Sequence, residues 1–251
     1  GAEAGLAVGP LRHGPPQPRG DRRRVVDVVL EAGGRHTRRH LHPTVAGEQL
    51  AHALTVQSAC LLHGRDYHGS VDSSTSAADT ARSIGSTEIL AKALLYEGWA
   101  LTALGRYQEA VARLRETVEV SRHAGRIGRA ISGLGNLSWT HLAAGQVDEG
   151  LEIARGGYEE GLAQGLSVQA AMCGESMQAA TTWHGRLDES EHLLETLREV
   201  GLPAYRWHWR RLELLLARGE AGAAAPLLTE MPEEDFPHQY AVLAKVQLAE
   251  L

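Results

Sequence analysis

The sequence predicts an all-α chain, an α-solenoid of helical hairpins with a repeat of about 40 residues. Three observations predict it. Two apolar helical patterns, 94–104 and 111–120, flank the turn Gly105-Arg106-Tyr107, the signature of two helices folded back on each other. The same punctuation returns 40 residues on at Gly145-Gln146-Val147 and again at Gly185-Arg186-Leu187; it stands earlier at Arg65-Asp66-Tyr67, and after a step of 34 at Gly219-Glu220-Ala221. Composition agrees: 43% of residues are hydrophobic but only 5% aromatic, a balance that suits closely spaced helices better than a β-sandwich. One helix pair cannot bury its own apolar face, whereas stacked pairs cover one another in a continuous core.

Residues 1–43 read as a flexible leader. Positions 1–20 have no periodicity and end in GPPQPRG, 22–31 suits a short helix, and HTRRHLHP over 36–43 breaks the pattern. The repeat domain is expected over 44–251, with helices at about 48–64, 68–84, 89–104, 108–124, 128–144, 148–164, 168–184, 188–200, 204–218 and 221–230. Another is expected from about 236, beyond the linker MPEEDFPHQY. Gly105, Gly145, Gly185 and Gly219 can take the left-handed conformation that ends the first helix of a pair, and Gly85, Gly125 and Gly165 close the hairpins. Ala110, Gly150, Ser190 and Ala224 are expected where the paired helices press closest, since large side chains there would force them apart. The chain stops at Leu251 inside an amphipathic pattern, which reads either as a piece cut from a longer protein or as an unusual terminal packing, because a solenoid ordinarily ends in a polar cap.

The formal charge is −6, from 25 basic and 31 acidic residues. The first 40 residues carry eight Arg against four acidic groups, a local +4 that leaves −10 for the rest. A basic leader on an acidic body does not describe a nucleic-acid-binding domain, and Arg19–Arg24 reads as solvated linker or helix start. Cys60 and Cys173 fall inside helical patterns, cannot form a CxxC pair, and are expected as buried small residues. No apolar run reaches membrane-spanning length, and the glycine-rich start lacks the apolar core of a signal peptide, so a cytoplasmic protein without a membrane partner is expected.

One copy carries Leu94, Gly98, Leu101, Gly105, Tyr107, Ala110, Leu114 and Thr117; the next carries Leu134, Ser138, His141, Gly145, Val147, Gly150, Ala154 and Gly157; a third has Gly174, Gln178, Thr181, Gly185, Leu187, Ser190 and Leu194. This succession of large and small positions resembles the tetratricopeptide repeat family. His141, Gln178 and Thr181 depart from the small or apolar choices of the family, and the 40-residue step exceeds its usual one, implying longer helices. Phrases such as LGRYQEAVARLRETVEVSRHAG and LAAGQVDEGLEIARGGYEEGLAQG resemble the repeat region of the large ATP-dependent, LuxR-type transcription regulators of actinobacteria that include the maltose regulator. That resemblance implies a region that receives an inducer or partner between a nucleotide-binding module and a helix-turn-helix. Neither module is legible in the sequence: no GxxxxGK[ST] occurs, so this chain by itself is expected neither to bind DNA nor to hydrolyse ATP.

A repeat array offers a concave wall made by the first helix of each pair. Trp99 and Trp139 lie six residues before Gly105 and Gly145, so their indoles are expected side by side as an aromatic platform, with Tyr96 and Asn136 three residues earlier on the same face. Following the inner-face positions of the resembled family, Lys92, Glu175, Ala179, Thr182, Trp183, Arg206, Trp209, Arg210 and Glu213 continue the wall. Packing between units is the competing role for Trp99 and Trp139. In YRWHWRR, alternating aromatics cannot share one helix face, so one of Trp207 and Trp209 belongs to the core and the other to a partner or cap. Arg206 and Arg210, one turn apart, either clamp an anion or pair with neighbouring acids.

Catalysis finds no support. His184 with Asp188, and His36 with His40, straddle turn signals and complete no three-ligand zinc set. The adjacent acids Glu159-Glu160 and Glu233-Glu234 point apart on a helix, and nothing resembles a nucleophile elbow. The expectation is a non-enzymatic sensor or regulatory repeat region, without cofactor or metal, that binds a small effector or a peptide or protein partner on its concave face. The alternative is an interaction scaffold with no small ligand. Self-association is compatible with either, since the Leu-rich stretch RLELLLARGEAGAAAPLLTE needs covering.

Overall fold

Ten helices follow one another in a computed structural model of the chain that describes residues 43–230. They are α1 Pro43–His63, α2 Tyr67–Ile84, α3 Thr87–Ala103, α4 Tyr107–His123, α5 Ile127–Ala143, α6 Val147–Ala163, α7 Ser167–Trp183, α8 Leu187–Val200, α9 Ala204–Ala217 and α10 Ala221–Glu230. Among the described residues there is no strand. The expected helix over 22–31, the linker over 231–240 and the helix from 236 lie outside the described residues. The first helix begins five residues before its expected start, at Pro43, because a proline lacks only an N–H that a first turn leaves unpaired.

The repeated turns behave as their glycines require. Gly105, Gly145, Gly185 and Gly219 have φ of 72°, 79°, 72° and 75°, and Arg65 holds the same place with φ 63°. The residue after each turn glycine donates back to the last helical turn, as Arg106 N to Leu101 O at 2.9 Å and Gln146 N to His141 O at 2.9 Å, so the freed carbonyls are satisfied. Asp66, the residue after Arg65, caps the start of α2 by accepting from Gly69 N at 2.9 Å.

Within each hairpin the helices cross at two residues twelve apart, and the pairs differ in chemistry. Ser58 and Ser70 share a hydroxyl contact of 3.0 Å. Gly98 stands in the same place opposite Ala110, where an added Cβ would fall 2.5 Å from Leu114 Cγ. Gly150 lies so close to α5 that a Cβ would come 3.0 Å from Ser138 O. In the third copy the larger Gln178 fits because its Nε2 donates to Ser190 Oγ at 2.9 Å and Thr182 Oγ1 at 3.1 Å. His141 is likewise accommodated by Gln146, 2.8 Å from Nδ1. The departures from small or apolar choices are thus polar side chains that each find a hydrogen bond, Thr181 to Met177 O of its own helix at 2.6 Å, while His141 Nε2 and Gln178 Oε1 stay buried without a partner among the described residues.

First helices of successive pairs touch one another, α1 on α3, α3 on α5, α5 on α7 and α7 on α9, and no second helix has comparable contact with the next. The row of first helices is therefore the tighter side of the stack, the side that lines a groove in repeat arrays. Its register is constant: Thr102 Oγ1 meets Thr140 Oγ1 at 2.7 Å and Ser138 Oγ donates to Ser176 Oγ at 2.9 Å, both 38 residues apart. The second row is tied by ion pairs, Arg82–Glu116 and Arg122–Glu160, each at 2.7 Å. Between the rows, Leu94, Leu101, Leu114, Ile131, Leu194, Leu197, Leu212 and Leu214 are fully buried, each worth about 1.5–3 kcal/mol of transfer free energy.

The two cysteines part company. Cys173 is buried against Ile131 O at 3.5 Å, and burial, aided by the Glu160 charge, pushes its thiol up to about 12. Cys60 is exposed, contrary to the expectation for it, because it sits on the outer side of α1 while Ser58 turns inward to Ser70.

Candidate functional site

Helix periodicity puts Arg206, Arg210 and Glu213 on one face of α9, spaced by four and three residues, and the contact of α9 with α7 turns that face toward Glu175. The Glu175 carboxylate accepts from Arg206 Nη1 at 2.5 Å and from Arg210 Nε at 2.9 Å. Arg210 also donates from Nη1 to Glu213 Oε2 at 2.6 Å, and its Cζ lies 4.9 Å from the centroid of the Trp139 ring. Trp139 in turn meets Trp183 at 5.7 Å between centroids with planes inclined by 53°. A 3.4 Å hydrogen bond from Trp183 Nε1 to Glu213 Oε1 closes the circuit. Six expected wall residues from α5, α7 and α9 thus form one connected cluster.

The electrostatics follow from burial. The side chains of Glu175 and Arg210 are only 8% and 3% exposed. Burial alone would push the Glu175 carboxyl up, but the charges of Arg210 and Arg206 outweigh it and hold the group below its ordinary value. Burial likewise opposes the charge on Arg206, and Glu175 more than restores it. Pairing with acids, rather than clamping an external anion, is therefore what Arg210 does, and the cluster's inner charges are neutralised among themselves. What it turns outward is the Trp183 indole, 47% exposed. A half-exposed indole whose N–H is already engaged presents its apolar face.

Other expected wall residues are placed differently. Trp99 and Trp139 do not form a mutual ring contact among the described residues. Trp99 meets the His63 ring of α1 edge-on at 5.8 Å. The position equivalent to Trp139 in α7 is Ala179, fully buried, so its ring partner comes from Trp183 one turn later. Trp209 is corrected from wall to core: it is 8% exposed and packs with Leu212, Leu215 and Ala224, because the face shared by Arg206, Arg210 and Glu213 leaves it turned toward α10. Trp207 is half-buried against the Leu194 and Leu197 cluster, with Arg198 Cζ 4.9 Å over its ring. Lys92, Tyr96 and Asn136 are half-buried on α3 and α5, and Asn136 Nδ2 donates to Ser132 O of its own helix at 2.9 Å. Ala179 and Thr182 are buried.

Sequence reasoning did not single out Tyr205, Arg129 or Glu97. Tyr205 accepts from Arg206 Nε at 3.1 Å at the edge of the cluster; its adjacency to Arg206 was the available signal. Glu97 is a buried carboxylate behind the wall, receiving Thr75 Oγ1 at 3.2 Å and Arg113 Nε at 3.0 Å. Burial raises its pKa above the ordinary value, and Arg113 offsets this only in part. A cavity of about 380 Å³, lined by Arg115, Val118, Arg122, Leu134 and Leu137 among others, lies between α4 and α5 away from the tryptophans. Among the described residues, no group of three His, Cys, Asp or Glu could hold a metal ion, and no helix is long and apolar enough to cross a membrane.

No protein-family model and no curated protein matches the chain. Solved structures do. A Rap protein, solved in complex with competence and sporulation factor, superposes with a TM-score of 0.60 at 14% identity over 90% of this chain and 69% of that one. A Podosopora anserina kinesin light chain with nearly identical TPR-like repeats gives 0.53 at 16% identity over 80% of this chain and 97% of its own, and its Q17M variant 0.54 at 16% over 84% and 98%. At such identities the likeness is one of fold: the chain is an all-α solenoid of stacked helical hairpins resembling tetratricopeptide-like repeats.

Proposed function

We propose that this chain is a non-catalytic docking module that takes a protein or peptide partner on the wall of first helices, with Trp183 and Trp139 as its apolar anchor. The observation that carries the reading is the exposed Trp183 indole beside Trp139, held in place by a buried, internally neutralised set of charges. A rigid aromatic pair offers large contact area at small entropy cost, and a partner side chain laid on it would displace water from apolar surface already in position. The similar Rap protein, solved with competence and sporulation factor bound, supports the idea that such a stack receives a partner.

A finer reading is supported by the sequence resemblance over LGRYQEAVARLRETVEVSRHAG and LAAGQVDEGLEIARGGYEEGLAQG. In it, docking is the sensory step of a transcription regulator of the LuxR type, and occupancy passes to other modules because stacked repeats share a core. A small effector on the same wall is the form of that reading which native mass spectrometry tests, through excess mass lost on denaturation.

The docking reading is tested by selecting a displayed library of random dodecapeptides on the purified protein and repeating the binding with Trp183→Ala. Loss of the selected peptides with unchanged helical circular dichroism is the expected result. Equal binding by the variant would remove Trp183 from the interface.

A further inference from the structure

Charge is divided between the two rows of helices. Helices α2, α4, α6 and α8 carry fifteen acidic against six basic residues, whereas α1, α3, α5, α7 and α9 carry five of each. Acidic charge thus sits on the second row. The first row is itself balanced, so the charges nearest a ligand on it are its own, and the acidic row stands about one helix diameter, roughly 10 Å, behind it. The wall is free to have an electrostatic preference of its own.

Most charges on the wall are spent internally. Glu175 and Glu213 are taken by Arg206 and Arg210, and Glu88 of α3 accepts from Arg126 Nη2 at 2.8 Å. Two cations remain. Lys92 on α3 and Arg129 on α5 are both half-buried, and neither makes an ion pair with any described residue. The register brings them together. Helices α3 and α5 run parallel with a constant offset of 38, fixed at one end by Glu88–Arg126 and at the other by Thr102–Thr140. Lys92 therefore stands opposite Ala130, beside Arg129. Farther along the same two helices come Tyr96 and Asn136, then Trp99 and Trp139. The groove between α3 and α5 is cationic at one end and aromatic at the other. The seven helical steps from Lys92 to Trp99 span about 10 Å.

We infer that the partner segment is acidic and apolar together: a carboxylate-bearing stretch seated between Lys92 and Arg129, with an apolar side chain about three residues away on the rings of Trp99 and Trp139. Three residues of extended chain cover about 10 Å, matching the distance between the two ends of the groove. Lys92 and Arg129 make no ion pair with a described residue, so a carboxylate seated between them gains charge-assisted bonds that the groove itself does not already use. Tyr96 and Asn136 lie between, where their phenol and amide can meet the segment's backbone. This inference rests on the docking reading above and assigns the chemistry of its partner.

The test uses the same dodecapeptide selection on wild-type protein, with the recovered peptides then measured by fluorescence anisotropy against wild type, Lys92→Glu and Arg129→Glu. Peptides enriched in Asp and Glu next to apolar residues, an affinity that falls as salt is raised, and a loss of about tenfold or more in each charge-reversal variant are expected. Lys92→Gln and Arg129→Gln, milder changes at half-buried positions, should lose binding in the same order and serve if a reversal perturbs folding. Neutral or basic recovered peptides, or acidic ones bound equally by all variants, would overturn the acidic assignment while leaving docking on Trp183 standing. Recovery of no peptide by the wild-type protein would overturn both.

Discussion

Replacing Glu175 by Gln keeps the shape of the side chain and removes the charge on which two guanidinium groups converge. Its carboxylate is 8% exposed and receives Arg206 Nη1 and Arg210 Nε; an amide can offer an oxygen to one of them but turns N–H groups toward the other. Breaking a buried pair costs about 3–5 kcal/mol when one charge is left uncompensated. Arg210 keeps Glu213 at 2.6 Å and the Trp139 ring at 4.9 Å, and such residual contacts return about 1–2 kcal/mol. A net loss of about 2–3 kcal/mol is expected at pH 7, a fall in Tm of about 5–10 °C for a domain of this size. The pH dependence has a definite sign. Because Arg210 and Arg206 hold Glu175 below its reference value of 4.5 despite burial, its contribution is fully present above that value and is lost as pH falls through the lowered folded value. Urea titrations followed by tryptophan fluorescence and circular dichroism should show the full gap between wild type and Glu175→Gln at pH 7, narrowing below pH 4.5. A gap under about 0.5 kcal/mol at pH 7, or one of equal size at pH 3, would refute the reasoning.

Glu97 should behave oppositely. Burial raises its pKa, so its protonated form favours the fold and that contribution fades as pH rises through the raised folded value; Glu97→Gln should match or exceed wild-type stability at pH 7 and lose its advantage in acid, and a less stable variant at pH 7 contradicts this. Two glycines of α6 should respond with opposite signs. At Gly161 a methyl group would come within 3.0 Å of Ala170 Cα and 3.1 Å of its N, so Gly161→Ala should cost about 1–3 kcal/mol, whereas Gly156 has open space and Gly156→Ala should add about 0.5–1 kcal/mol, both read by thermal unfolding. Of the chain's two thiols, exposed Cys60 should react with Ellman's reagent in the native protein and Cys173, buried with its pKa near 12, only after unfolding; rapid modification of both sulfurs would show that α7 opens easily.

The repeat architecture was legible because it is written in local rules. Gly105, Gly145, Gly185 and Gly219 mark left-handed turns whatever surrounds them, and the spacing of Leu94, Leu101 and Leu114 follows helix periodicity alone. The sequence also singled out Glu175, Trp183, Arg206, Arg210 and Glu213, which the structure joins with Trp139 in one cluster, although Ala179, and neither Glu175 nor Trp183, holds the place equivalent to Trp139 in α7. What each wall residue touches was not. Trp139 finds Trp183 and not Trp99, and Trp209 turns into the core, because partners are chosen across helices by a 38-residue register and by the bulk available at each site.

By itself, then, the sequence determined the helices, their turns and their pairing into hairpins, since these depend on backbone conformation and on the alternation of apolar residues along one helix. Only the tertiary structure decided that Arg210 spends its charge on Glu175 and Glu213, that Glu97 is a buried acid, and that Lys92 and Arg129 make no ion pair with a described residue. Charge compensation and desolvation depend on residues tens of positions apart meeting in space, and a repeat fixes that meeting only once neighbouring units are stacked.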